Sequence, residues 1–106
     1  MQVRITRDGT VLLTGPDDFR RFSILFDPGA RGSAPAEAAL ARVARPDGDA
    51  AWVSEAALRD LAPRAGEADW QEGFAGMVAY ARGRGWVDDQ GAIRAHIETV
   101  QAATRA

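Results

Sequence analysis

The chain has 106 residues, a formal charge of −2 and a hydrophobic fraction of 46%. That length supplies one modest core and not two, so a single domain is expected, and the ordinary apolar content excludes wholesale disorder. The lack of cysteine removes disulfides, thiol nucleophiles and cysteine-ligated metal centres together.

All 13 basic residues are arginine, a bias that a GC-rich genome produces and that points to a bacterial source. No apolar run approaches the roughly 18–20 residues that cross a membrane, and the opening MQVRITRDGT has no apolar signal core, so a cytoplasmic protein without a membrane partner is expected. The slightly acidic balance counts against a nucleic-acid footprint, which shows as a basic face.

Residues 2–7 and 10–15 flank Asp8-Gly9, the dipeptide most typical of a tight hairpin, with Val3 and Ile5 on one face and Val11 and Leu13 on one face of the partner. After Gly15-Pro16-Asp17-Asp18 comes FRRFSILF. Phe19, Phe22 and Phe26 fit a helical stripe, while Phe22, Ile24 and Phe26 fit a strand; the aromatic and β-branched content favours a strand over residues 20–26. Residues 27–37 hold two prolines, two glycines and no large apolar side chain, as expected of a mobile loop. Gly29, Arg31, Gly32 and Ser33 could form a backbone nest for an anion. No GxxxxGK[ST] motif supports that reading, and a solvated connection is preferred.

Residues 38–45 suit a short helix or a strand. The turn Pro46-Asp47-Gly48-Asp49 and the returning AAWV favour a second hairpin. Ser54 then caps a short helix, EAALRDLA, that ends at Pro63. The strongest pattern follows: Trp70, Phe74, Met77, Val78 and Ala81 form one apolar stripe, predicting a helix over about 69–83 with Asp69 or a neighbour as its cap and Gly83 and Gly85 at its end. Trp86-Val87, the turn Asp88-Asp89-Gln90-Gly91 and an alternating strand over 92–100 close the fold, with a helix from Ala92 to Ala103 as the competing period. The tail 101–106 is expected to fray. The fold class predicted is α+β: a single small domain over 1–106, with antiparallel hairpins or a meander packed by two helices.

Few residues here carry chemistry. One histidine and no cysteine make no metal signature, the Asp-Gly turns lack the glutamate that completes a calcium loop, and no GxSxG surrounds any serine, so neither metal nor cofactor is expected. His96 is the one side chain whose ordinary pKa lies near neutrality, and it is the candidate acid–base catalyst if the protein is an enzyme. Trp70, Tyr80 and Trp86 are large amphipathic rings that could line a ligand or partner site, and Arg82, Arg84 and Arg94 could receive an anion beside them. The competing reading makes the tryptophans core and the arginines complements to a helix C-terminus.

The hairpin after a long helix is similar to the winged-helix arrangement, with Arg94 on the wing, but the preceding helix is too apolar for a recognition helix. The run WVSEAAL resembles the closing strand of bacterial SH3-like modules over seven residues, too few to transfer a fold. The leading expectation is a small binding or accessory domain that engages a protein partner, or itself as a homodimer, through a sheet edge or an aromatic groove. A small-molecule ligand remains compatible with the same groove. The alternative is a small metal-free, cofactor-independent enzyme using acid–base chemistry at His96.

Overall fold

The computed structural model describes residues 1–99. The elements run β1 (Gln2–Ile5), β2 (Val11–Thr14), β3 (Ser23–Phe26), α1 (Ala34–Val43), β4 (Ala44–Asp47), β5 (Ala50–Val53), α2 (Glu55–Leu61), α3 (Ala68–Gly83) and β6 (Ile93–Thr99). This is the expected α+β domain, with the expected tail 101–106 outside the described residues. Among the described residues, no helix is long and apolar enough to cross a membrane.

The strands form one six-stranded sheet in the order β2-β1-β3-β6-β5-β4. Alternation decides its faces. Val3 pairs with Leu13 and Ile24, Ile24 with Ile97, and Ala51 with Ala95, so these side chains share one face. They join Leu40 of α1, Leu58 of α2 and the α3 stripe in a single buried cluster. The opposite face carries Gln2, Arg4, Ser23, Leu25, Trp52, Arg94, His96 and Glu98 and is at least partly open to water. Arg4 reaches Asp27 with two parallel bonds, Nε to Oδ1 at 2.7 Å and a terminal nitrogen to Oδ2 at 2.9 Å, tying β1 to the end of β3.

The α3 stripe supplies two of the largest fully buried side chains. Trp70 and Phe74, both essentially buried, stack with centroids 4.9 Å apart and planes 12° apart. The Arg59 guanidinium lies 4.9 Å from the Phe74 ring centre. Each such ring removes about 150–250 Å² from water, roughly 4–6 kcal/mol at most at about 25 cal/mol per Å².

Several expectations need correcting. The sheet is mixed: β1 and β3 are parallel, as are β3 and β6, because β3 and β6 return to its middle instead of extending a meander. Residues 34–43 are helical, so among the described residues three helices cover the sheet, and the helix takes up the end of the anticipated 27–37 loop. Pro35 at its start, Glu37 in its first turn and Ala36, Ala39 and Leu40 buried on one side explain the choice. The hairpin survives as β4 and β5, with Gly48 at φ +65° in the turn. Its outer strand β4 contains Pro46, which an edge tolerates.

The strand expected over 20–26 begins only at Ser23, and 15–22 is irregular. Helix α3 is preceded by Glu67, not capped by Asp69, which instead pairs with Arg64. The loop with nest-forming potential is occupied by the chain itself, since Gly32 N–H donates to Glu37 Oε2 at 2.8 Å. A six-stranded sheet with an uninterrupted β5–β6 pairing fits neither a winged helix nor a strand that closes an SH3-like barrel.

Candidate functional site

A cleft of about 260 Å³ opens where β3 stops short of the start of β6. β6 runs from Ile93, but β3 pairs with it only from His96 onward, so the first residues of β6 lack a β3 neighbour. Two irregular segments fill that gap from opposite sides, and the cleft lies between them.

The first wall is the end of α3 and the turn after it. Gly85 at φ +78° leaves the helix in the left-handed region; its N–H reaches the Arg82 carbonyl at 3.1 Å, and Trp86 N–H reaches the Ala81 carbonyl at 2.9 Å. These two bonds make a Schellman motif, which turns the chain back and satisfies two carbonyls of the final helical turn. Trp86 is thereby set against Tyr80, edge to face at 6.3 Å. Tyr80 is 61% and Trp86 40% exposed. Arg84 caps both rings, 5.4 Å from the Tyr80 centre and 5.3 Å from that of Trp86.

The turn that follows is held by one carboxylate. Asp88 Oδ1 accepts from Ala92 N–H at 2.8 Å and Gln90 N–H at 2.9 Å, and Oδ2 accepts from Arg45 at 3.1 Å. The two backbone bonds, with Arg45 in support, hold this carboxyl below its ordinary pKa. Val87 bridges to Ile93, and Arg94 N–H donates to the Trp86 carbonyl at 2.8 Å, which brings Arg94 beside Trp86.

The second wall is Phe19 to Phe22. No strand or helix supports this segment, yet three contacts pin it. The Met1 amine donates to the carbonyls of Asp18 and Arg21, both at 2.9 Å, and Trp70 Nε1 donates to the Pro16 carbonyl at 2.9 Å. Phe19 then meets Trp70 edge-on at 5.9 Å. Partial burial favours the neutral amine and lowers its pKa, against the pull of Asp18. Met77, Ala81 and Ile93 line the cleft with apolar surface.

The charge around the cleft is one-sided. Arg20, Arg21, Arg94 and His96 line it, and no carboxylate does. The ion pairs among the described residues engage Arg4, Arg31, Arg45, Arg59 and Arg64; Arg20, Arg21 and Arg94 take part in none. Asp18 and Glu98 line a neighbouring polar concavity that shares Arg21, Phe22 and His96 with the cleft.

The candidate residues from the sequence therefore separate. Tyr80, Trp86 and Arg94 come together at the cleft, and Arg84 stacks over its rim. Trp70 is 1% exposed and lies in the core, where it positions the Phe19 wall. Arg82 is exposed in the last turn of α3 and does not line the cleft. His96 sits at the lip opposite Ser23 on β3; among the described residues no carboxylate lies within ion-pair distance to orient it. The residues that sequence reasoning missed are Phe19, Arg20, Arg21 and Phe22. Their signal was the FRRF run itself, two adjacent arginines between two aromatics. Among the described residues, no three histidine, aspartate or glutamate side chains converge to hold a metal ion.

Comparison of the chain with protein-family models, curated proteins and solved structures finds no match.

Proposed function

We propose that the chain is a small binding domain of the bacterial cytoplasm that engages a protein partner by receiving one large apolar side chain in the cleft between Phe19-Phe22 and Trp86. The observation that carries this reading is the exposure of Tyr80 and Trp86 on a wall fixed by backbone bonds, facing a second wall pinned at Pro16, Asp18 and Arg21. A preformed aromatic surface loses little conformational freedom on binding, so apolar contact converts efficiently into affinity. The apolar part of the cleft lining, Phe19, Phe22, Met77, Ala81 and Ile93, suits one inserted apolar side chain.

The edge strand β2, paired among the described residues to β1 alone, offers a second contact surface and would support a homodimer. The alternative, an acid–base enzyme using His96, has the place of His96 at the lip of two concavities in its favour. It lacks an orienting carboxylate among the described residues, and we favour binding.

Titration of the ¹⁵N-labelled protein with N-acetylphenylalaninamide, against N-acetylalaninamide, tests the proposal. The indole N–H resonance of Trp86 should move with the phenyl probe alone, while that of Trp70 stays in place. Equal responses to both probes, or a response confined to other tryptophans, would refute it.

A further inference from the structure

Building on the proposed apolar anchor, we infer that the partner segment is acidic, with a carboxylate side chain next to the anchoring residue that docks against Arg94 and Arg84.

Charge complementarity carries this inference. The chain as a whole is slightly acidic, yet the lining of its aromatic cleft is cationic without a carboxylate among it. The arginines in ion pairs among the described residues, Arg4, Arg31, Arg45, Arg59 and Arg64, all lie off the cleft. Arg7, Arg42 and Arg82 are also outside these pairs; what distinguishes Arg20, Arg21 and Arg94 is that all three converge on one aromatic cleft whose lining holds no carboxylate. Arg94 lies beside the Trp86 carbonyl, and the Arg84 guanidinium sits over the Tyr80 and Trp86 rings, 5.4 and 5.3 Å from their centres. Stacking uses the face of a guanidinium and leaves its in-plane N–H groups to take a carboxylate.

The acids of the adjoining concavity also bear on the direction of approach. Asp18 and Glu98 line the adjoining concavity on the far side of Arg21 and His96. A partner carboxylate there would meet like charge, whereas at Arg94 and Arg84 none lines the cleft. The acidic residue therefore lies on the Trp86 side of the anchor. Single-stranded nucleic acid also combines stacking with negative charge. A peptide is favoured because the arginines are confined to one short cleft. A backbone-tracking groove needs cations along several nucleotides, and here Asp17, Asp18, Asp88 and Asp89 stand close in sequence to the two walls.

The test uses the full chain and blocked pentapeptides with a central phenylalanine flanked on each side by two aspartates, two asparagines or two lysines. Binding is followed at the Trp86 indole resonance, with octathymidylate and 3-phenylpropanoate as further probes. The aspartate peptide should bind about tenfold more tightly than the asparagine peptide at low salt, the return from two or three exposed ion pairs. That preference should shrink as salt screens the charges. Arg94→Gln should reduce that preference, and Arg82→Gln, off the cleft, should change neither the preference nor the asparagine peptide's affinity.

Equal affinities for the aspartate and asparagine peptides would overturn the acidic partner and leave the apolar-anchor reading standing. Tighter binding of the lysine peptide would also overturn it. No response to any peptide would overturn both. Tighter binding by octathymidylate would assign the cleft to nucleic acid, and 3-phenylpropanoate matching the aspartate peptide would assign it to a small carboxylate; either result overturns the inference.

Discussion

Gly73 sets two physical effects of opposite sign against each other. It lies inside α3, where replacing glycine by alanine normally stabilises a helix by about 1 kcal/mol. A β-carbon built at this position would stand 2.3 Å from Phe19 Cε2 and 2.7 Å from Cδ2. Phe19 would have to move away by more than a bond's length to reach ordinary contact. Its ring is half-buried and can swing, but only by leaving its edge contact on Trp70 at 5.9 Å. Forced overpacking costs about 1–3 kcal/mol, and losing an aromatic pair about 0.5–1.5 kcal/mol. The clash should win, so Gly73→Ala should destabilise by about 1–2 kcal/mol, a fall in Tm of roughly 4–16 °C for a domain of this size. In a Phe19→Ala background the obstacle is gone, and the same substitution should stabilise by up to about 1 kcal/mol. Urea titrations of the wild type, both single variants and the double variant, followed by far-ultraviolet circular dichroism, give the coupling directly. A Gly73→Ala protein at least as stable as wild type would refute the reasoning, as would additivity within about 0.5 kcal/mol.

Phe74→Ala should cost about 3–5 kcal/mol, since the ring is fully buried between Trp70 and Arg59, whereas Glu72→Ala should leave the urea midpoint nearly unchanged. Gly85→Ala places a side chain at φ +78°, so it should destabilise by roughly 1–2 kcal/mol and loosen Trp86, seen as a weaker Trp86 response to phenyl probes. Asp27, held below its ordinary pKa by hydrogen bonding from Arg4, and Asp88, held down chiefly by the Ala92 N–H, release fewer protons unfolded than folded at mildly acidic pH. Their contribution is full above the unfolded value of about 3.9 and is lost as pH falls through the lower folded values. The urea midpoint should therefore drop below about pH 4, and less steeply in Asp27→Asn; identical acid limbs would refute the assignment. Leu12, 41% exposed on edge strand β2, should be the sensitive point of any homodimer, so Leu12→Lys should shift sedimentation toward the monomer without unfolding the chain.

Much of the fold was legible wherever a local interaction decides structure. Asp8-Gly9 sits in the β1–β2 hairpin, with Gly9 at φ +90°, because turn conformation depends on a few adjacent residues. Ser54 accepts from Ala57 N–H as a cap, and the stripe from Trp70 to Ala81 is buried, since both follow from helical geometry within a few turns. The end of α3 was legible for the same reason, with Gly85 rather than Gly83 taking the left-handed position. From these local rules came the aromatic and cationic half of the cleft, Tyr80, Trp86, Arg84 and Arg94.

What lay beyond the sequence depends on partners far along the chain. Residues 38–45 suit either a strand or a helix, and the helix over Ala34–Val43 is selected by burial of Ala36, Ala39 and Leu40 in the common core. Strand order is not written in alternation, which specifies two faces but no neighbour; only the closing of a shared apolar face places β3 and β6 side by side in parallel. The FRRF segment has strand-like composition, yet the Met1 amine takes the carbonyls of Asp18 and Arg21 and draws it away from the sheet. Trp70 and Trp86 are the same residue type at the two ends of one helix. Trp70 closes into the core because Pro16 and Phe19 cover it from a distant segment, and Trp86 stays open because the Schellman turn folds it back onto the edge of that helix.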